Sequence, residues 1–209
     1  MAGNAIRLHK GDLSADALAL YGDRIAIDTE TLGLNPHRDR LCVVQLSPGD
    51  GSADVVQIAA GQSSAPNLAA LLTDNSRTKI FHFGRFDIAV LNKAFGVTTA
   101  PVFCTKIASR LTRTYTDRHG LKDVTRELLG IELSKQQQSS DWAAETLSEA
   151  QLEYAASDVL HLHALMDALT FRLEREGRTE LAADCFRFLP TRAALDLAGW
   201  PEEDIFSHS

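Results

Sequence analysis

The amino-acid sequence predicts an α/β sandwich with a mixed central sheet flanked by helices. Three observations carry that reading. Three short runs rich in Ile, Val and Leu lie close together at 24–28, 41–47 and 54–58. After them, strand-like runs alternate with helix-spaced segments, and the second half shows mainly helical periodicity. A purely parallel doubly wound sheet is disfavoured, because each parallel crossover needs about a dozen residues or more.

Residues 24–28 (RIAID) and 41–47 (LCVVQLS) read as buried strands, joined by the loop formers of TLGLNPHRDR. Residues 54–58 (DVVQI) follow the turn formers PGDGS, so the three strands are expected to form an antiparallel meander. Pro66 and the apolar spacing of 66–73 predict a helix. Next come a strand at 78–82 (TKIFH), a helix at 84–95 (GRFDIAVLNKAF), a short strand at 101–103 and a helix from about 105. A helix over 121–129 ends at Gly130, a C-cap. Residues 134–142 (SKQQQSSDW) are polar and predict a loop. Ser148 ahead of Glu149, Ala150 and Gln151 forms a capping-box pattern that opens a helical segment over 148–175. The chain reads as one domain, 1–209. Its last stretch, about 186–209, carries Trp200, Ile205 and Phe206 and is expected to dock on the core or on a neighbouring subunit.

The formal net charge of -7 argues against a generic nucleic-acid coating protein but not against an enzyme that holds metal ions, whose clustered carboxylates raise the acidic count. The charge is uneven. Residues 105–126 carry Lys106, Arg110, Arg113, Arg118, Lys122 and Arg126 against Asp117 and Asp123, either a phosphate-facing rim or a solvated pair of helices. Cys42, Cys104 and Cys185 form no CxxC pair and read as reduced thiols in a cytoplasmic protein. No run approaches the roughly 20 apolar residues that cross a bilayer, and residues 1–10 lack the apolar core of a secretory signal.

Four acids and a tyrosine stand out. Asp28 and Glu30, two apart at the end of a strand, point the same way. Asp87 borders the apolar stripe of Phe83, Phe86, Val90 and Leu91 on a helix, where an isolated charge is costly. Tyr154 and Asp158, four apart, share one helical face beside Leu152, Ala155, Val159 and Leu162. Taken singly, each has a bland reading: a solvated strand end, a water-facing acid, a surface pair. As a set they suit phosphodiester hydrolysis. Hard oxygen donors bind Mg²⁺ or Mn²⁺, and two such ions about 3.5–4 Å apart activate water and relieve the leaving oxygen. A phenol with a pKa near 10 is a poor base, so Tyr154 reads first as a water-positioning group and second as a proton acceptor.

Three motifs in order carry a resemblance: DTETLGL at 28–34, HFGRFD at 82–87 and YAASD at 154–158. They resemble the ribonuclease D-type branch of the DnaQ-like 3′–5′ exonucleases. Its tyrosine-bearing members are termed DEDDy, after their four metal-binding acids. The chain is more similar still to the nanoRNase C group, through NPHRDRLCVVQLSPGDG, KIFHFGRFDIAVL, FCTKIASRLTRTYTDRHGL, SKQQQSSDWAAE and the closing FLPTRAALDLAGWPEEDIFSHS. The resemblance implies a ribonuclease H-like (DnaQ-like) exonuclease fold. It implies that Asp28, Glu30, Asp87 and Asp158 bind two divalent ions, Mg²⁺ or Mn²⁺, with Tyr154 as general base. It implies short single-stranded RNA, dinucleotides included, as substrate, with short DNA left open, and a homo-octamer as the assembly. The C-terminal helical domains of full-length ribonuclease D are missing from this chain, which argues against tRNA processing.

Secondary candidates for the substrate are Thr29 within the first motif, Leu32 as a wedge beside a terminal base, and His82 and Phe83 ahead of the Asp87 helix. Phe83 has a core reading as well. Arg110 and Arg113 are candidates to clamp a phosphate. Lys135 and Gln138 lie in the polar loop with Asp141, and Lys135 offers a point charge. Trp142 either stacks on a base or docks a helix. His161 and His163 diverge and make no metal pair. Two rival functions remain at this stage. One is a general exonuclease on single-stranded DNA or structured RNA ends; the other is a non-catalytic nucleic-acid-binding protein.

Overall fold

A computed structural model describes residues 5–134, 136–137 and 139–208. Among them, six strands form one mixed sheet, with the chain elements in the order β1 (Ile6–Lys10), α1 (Ala15–Leu18), β2 (Arg24–Thr31), β3 (Leu41–Ser47), β4 (Ala53–Gln57), α2 (Pro66–Thr73), β5 (Thr78–Phe81), α3 (Gly84–Phe95), β6 (Val102–Cys104), α4 (Thr105–Thr112), α5 (Leu121–Leu129), α6 (Glu149–Leu160), α7 (Leu162–Arg175) and α8 (Thr179–Ala198). The sheet order is β1-β4-β3-β2-β5-β6. The expected antiparallel meander is β2-β3-β4, while β5 and β6 add parallel to β2.

Strand β1 was not foreseen. It pairs parallel with β4 at the sheet edge, and its IRLHK sequence has no apolar run to announce it. A non-local tie holds it. The fully buried Asp54 of β4 receives Arg7 Nε at 2.7 Å, Tyr21 Oη at 2.6 Å and a 2.7 Å contact with His9 Nε2. Burial alone would raise the Asp54 pKa, but the bonds from Arg7, Tyr21 and His9 outweigh it and hold the carboxyl below its ordinary value.

Two further expectations are corrected. Strand β2 does not stop at Asp28 but runs to Thr31, with a register shift between Glu30 and Thr31. The helical segment expected over 148–175 is two helices, broken at His161, where the backbone leaves the helical ladder at φ -105 and ψ -2. No Gly or Pro marks that break. Gly130, by contrast, caps α5 in the left-handed region as its position suggests, and Ser148 and Gln151 form the capping box at α6.

The way β2 outruns β5 positions the site. Strand β5 pairs with β2 only through Arg24, Ile25 and Ala26. Beyond Ala26 the β5 side of β2 is open, while β3 continues to hold it through Glu30. Side chains alternate along this overhang. Asp28 and Glu30 face the layer of α6, and Thr29 points the other way and meets α3.

Candidate active site

Each acid reaches the site for a local reason. Asp28 and Glu30 share one face of the β2 overhang. Asp87 lies in the first turn of α3, where a negative charge complements the helix dipole. Tyr154 and Asp158 are one turn apart on α6. The start of α3 is tightly set. Phe83 adopts φ 72, the left-handed region that an aromatic residue rarely enters, and a Cβ at Gly84 would approach the Phe81 side chain to 2.7 Å.

The structure brings the acids together. Carboxylate oxygens of Asp28, Glu30 and Asp158 lie within 4.8 Å of one another. Asp87, buried beside them, accepts a 2.6 Å hydrogen bond from Thr29 Oγ1. Burial raises all four pKa values, and the neighbouring carboxylates add to it for Asp28, Glu30 and Asp158. Asp28 stands well above the carboxylate range through burial and then the charges of Asp87, Asp158 and Glu30. Glu30 is pushed to about 8 and Asp87 and Asp158 to about 7, burial leading in each case. Among the described residues no lysine or arginine leads any of the four shifts. Such a set of hard oxygen donors, none ion-paired with a lysine or arginine among the described residues, fits a divalent metal centre. Tyr154 is held as a neutral phenol: burial, then the charges of Asp158, Glu30 and Asp28, push its pKa well above the usual phenol range.

These groups open onto a cleft of about 370 Å³. His82, Phe83, Phe86, Lys106, Lys122 and Leu34 line it with them. His82 sits against Thr105 Oγ1 at 2.8 Å, and burial followed by Lys106 lowers its pKa to about 3, so the ring is neutral. Phe83 is 45% exposed and carries the Lys106 ammonium 4.2 Å above its ring.

Several secondary candidates are placed elsewhere. Phe83 is not core, because its left-handed backbone turns the ring into the cleft, and Phe86 also faces the cleft. Leu32 is exposed but does not line the cleft; Leu34, two residues on, does. Arg113 is no phosphate clamp. It is buried, bonded to Ser109 Oγ at 2.9 Å and Arg118 O at 2.6 Å, and paired with Glu127. Arg110 is exposed on α4, outside the lining. Trp142 is buried with Cys42, Val43 and Val55, its ring 6.0 Å from that of Tyr154, so it supports the tyrosine and reaches no base. Lys135 and Gln138 lie outside the described residues. From the basic segment 105–126, Lys106 and Lys122 reach the cleft, whereas Arg126 pairs with Asp123. In the sequence Lys106 stands out only as part of that segment. A lysine in the first turn of a helix opposes the dipole, and that signal singles it out.

Comparison with known proteins places this geometry. A family model described as a 3′–5′ exonuclease matches residues 11–174. A structure described as the apo form of a nuclease is 72% identical, with a TM-score of 0.97 over 98% of this chain and 99% of that one. NrnC of Brucella melitensis bound to pGG is 68% identical, with a TM-score of 0.95 over 99% of this chain and 100% of that one. The same protein with bound Mg²⁺ gives a TM-score of 0.94 over 98% and 100%. Ribonuclease D of Gluconacetobacter diazotrophicus is 38% identical over 159 residues, 76% of this chain and 40% of its own length. Across the ribonuclease D relatives, this chain spans between 38% and 54% of their length.

Proposed function

We propose that this chain, which belongs to the ribonuclease D-type (DEDDy) family of 3′–5′ exonucleases, is a metal-dependent exoribonuclease that degrades short RNA, dinucleotides included, to nucleoside 5′-monophosphates. The observation that carries the reading is the gathering of Asp28, Glu30 and Asp158 within 4.8 Å, with Asp87 alongside. Full-length similarity to NrnC, which binds Mg²⁺ and pGG, supports the substrate class. The partial span of the ribonuclease D relatives gives less support to their activity as a whole.

Asp28, Glu30, Asp87 and Asp158 would hold two divalent ions, Mg²⁺ or Mn²⁺. Bound there, the ions supply Lewis acidity at the phosphate and lower the pKa of water. The residues of the chain do the rest. Thr29 fixes the rotamer of Asp87. The Tyr154 phenol orients the attacking water by a hydrogen bond and is itself braced by Trp142. Neutral His82 and the exposed Phe83 border the 3′-terminal nucleotide, and Lys106, seated on Phe83, presents a point charge to a phosphate. The chain of the substrate shortens by one nucleotide, its 3′-oxygen leaving with a proton.

Self-association as a homo-octamer is part of this reading. It is supported by exposed apolar side chains on α7, α8 and the tail: Phe171, Leu181, Trp200 and Phe206. A cytoplasmic location is supported by three unpaired cysteines; among the described residues no helix is long and apolar enough to cross a membrane.

The test is product release from 5′-labelled RNAs of about two, five and twenty nucleotides, with Mg²⁺, Mn²⁺ or EDTA. Fast metal-dependent conversion of the shortest RNA is expected. Equal or faster trimming of the longest RNA, or of DNA, would favour a general exonuclease. Tight binding with no product would favour a binding protein.

A further inference from the structure

Gln45 is fully buried in the centre of β3, and neither its Nε2 nor its Oε1 has a hydrogen-bond partner among the described residues. A buried amide left in that state costs about 1–3 kcal/mol for each unmet group, and apolar residues fill a sheet interior without that cost. The placement of Gln45 is specific. It stands directly opposite Asp28 in the antiparallel β2–β3 pair. Directly opposed residues share a face and bring their Cβ atoms to about 4.5–5.5 Å. On its other side it is paired with Val55 of β4, so the neighbour across β4 offers nothing polar. Above this face lies α6, whose buried residues are Gln151, Ala155, Ala156 and Val159, with the half-buried Asp158 beside them; the Gln151 amide is already engaged by Ser148 N and Asp141 O. The polar side chain that the strand register sets beside Gln45 is therefore a member of the carboxylate cluster.

We infer that Gln45 is a positioning residue for the metal centre, its amide N–H group donating to Asp28 through one buried water. Asp28 has a backbone donor in Thr29 N–H but no side-chain donor among the described residues. A metal-binding carboxylate is oriented by a hydrogen bond to the oxygen that the ion leaves free, and removal of such outer partners typically weakens metal binding about 10- to 100-fold. Asp87 has its donor in Thr29. Gln45 gives Asp28 the equivalent support from the opposite face of β2. This role rests on the metal-centre reading of the acids but not on the identity of the RNA substrate.

The experiment uses the full chain and the variant Gln45→Met, which keeps volume and removes both polar atoms. Mn²⁺ binding is measured by calorimetry, turnover of a short RNA as a function of Mn²⁺, and melting in EDTA. The variant is expected to bind Mn²⁺ about tenfold more weakly or worse, with kcat reduced and the KM for RNA little changed, while melting in EDTA holds or rises because an unmet amide is gone. Gln45→Asn, which keeps a donor, should recover part of the affinity. A merely structural role would lower melting and leave Mn²⁺ affinity in the folded variant untouched, and that result overturns the inference. Should Gln45→Met fail to fold, a Mn²⁺-bound crystal structure of the wild-type chain decides. The amide nitrogen either reaches Asp28 through a single water or it does not and the inference fails. Wild-type protein that binds Mn²⁺ without cutting short RNA would defeat the proposed substrate and leave the role of Gln45 standing.

Discussion

Thr29 Oγ1 donates a 2.6 Å hydrogen bond to Oδ1 of Asp87, joining the overhang of β2 to the first turn of α3. Both groups are buried, and among the described residues no lysine or arginine pairs with Asp87. Replacing Thr29 with Val keeps the shape and removes the donor. Hydrolysis should fall about 10- to 100-fold, and stability by about 1.5–3 kcal/mol, whereas Thr29→Ser should retain most of both. Turnover and urea denaturation read the two effects, and a Val variant with wild-type activity would remove Thr29 from the site's supporting structure.

The metal-free protein should be weakened by its own carboxylates. Glu30, Asp87 and Asp158 have folded pKa values of about 8, 7 and 7, raised above their ordinary range. The folded state therefore binds their protons more tightly than the unfolded state. The stabilisation this gives is complete below about pH 4 and is lost as pH rises through about 7 to 8. In EDTA the melting temperature should drop across that window, and Mg²⁺ should reverse the drop. Asp28→Asn removes one charge, so it should melt higher than wild type in EDTA at the upper end of the window while losing metal-dependent hydrolysis. A melting temperature that climbs with pH in EDTA would contradict the clustering.

Much of the fold and of the site is legible in the sequence, for physical reasons that differ by element. Helix α3 and helix α5 have local apolar periodicity and each ends at a glycine, Gly96 and Gly130, so their ends can be read from neighbours in sequence. The acids were legible because their spacing along strand and helix fixes a shared direction. Strand β1 was not legible, because it depends on Asp54, 47 residues from Arg7. Nor was the break at His161, since tertiary packing makes it without a breaker residue. Phe83 reads as core only while its backbone is taken as helical; its positive φ reverses the direction of the ring. Arg113 reads as a clamp only while its partner Glu127, on the next helix, is left out.

Tyr154 remains a phenol in this environment, its pKa driven up by burial and by three carboxylates. It should act by orienting water and not as a phenolate. Tyr154→Phe should lower kcat by about 100-fold or more, with the KM for RNA and the melting temperature in EDTA nearly unchanged. The wild-type pH–rate profile should show no basic limb attributable to phenol ionisation. A gain in kcat that tracks a group titrating near pH 10 would restore the general-base reading.

Arg113 is a structural residue. Its guanidinium is buried and bonds Ser109, Arg118 and Glu127, joining α4, the loop after it and α5. Arg113→Met should cost about 2 kcal/mol of stability and leave the KM for short RNA unchanged. A large rise in KM with intact melting would return Arg113 to substrate binding.

Asp196 of α8 controls the other end of the α3 entry. It accepts Arg85 Nε at 2.6 Å and Nη2 at 2.7 Å, and Arg192 Nη2 at 2.7 Å. Arg85 and Arg192 also bond the backbone carbonyls of Pro201 and Trp200, so the same pair of arginines anchors the tail. Burial alone would raise the Asp196 pKa, but the bonds from the two arginines outweigh it and hold the carboxyl below its ordinary value. A depressed carboxylate stabilises the fold above the ordinary carboxylate range and loses that contribution as pH falls through the folded pKa. Arg85 is two residues from Asp87, so loss of this clamp reaches the site through the first turn of α3. Asp196→Ala should destabilise the chain by about 2 kcal/mol, free residues 200–208 to proteolysis, and lower kcat several-fold. The stability difference between Asp196→Ala and wild type should shrink as the solution is acidified below about pH 4, because the wild-type carboxyl then gives up the same interaction. Limited proteolysis with melting at two pH values measures this. A variant whose tail stays protected and whose stability deficit does not depend on pH would show that the clamp neither holds the tail nor draws on the Asp196 charge.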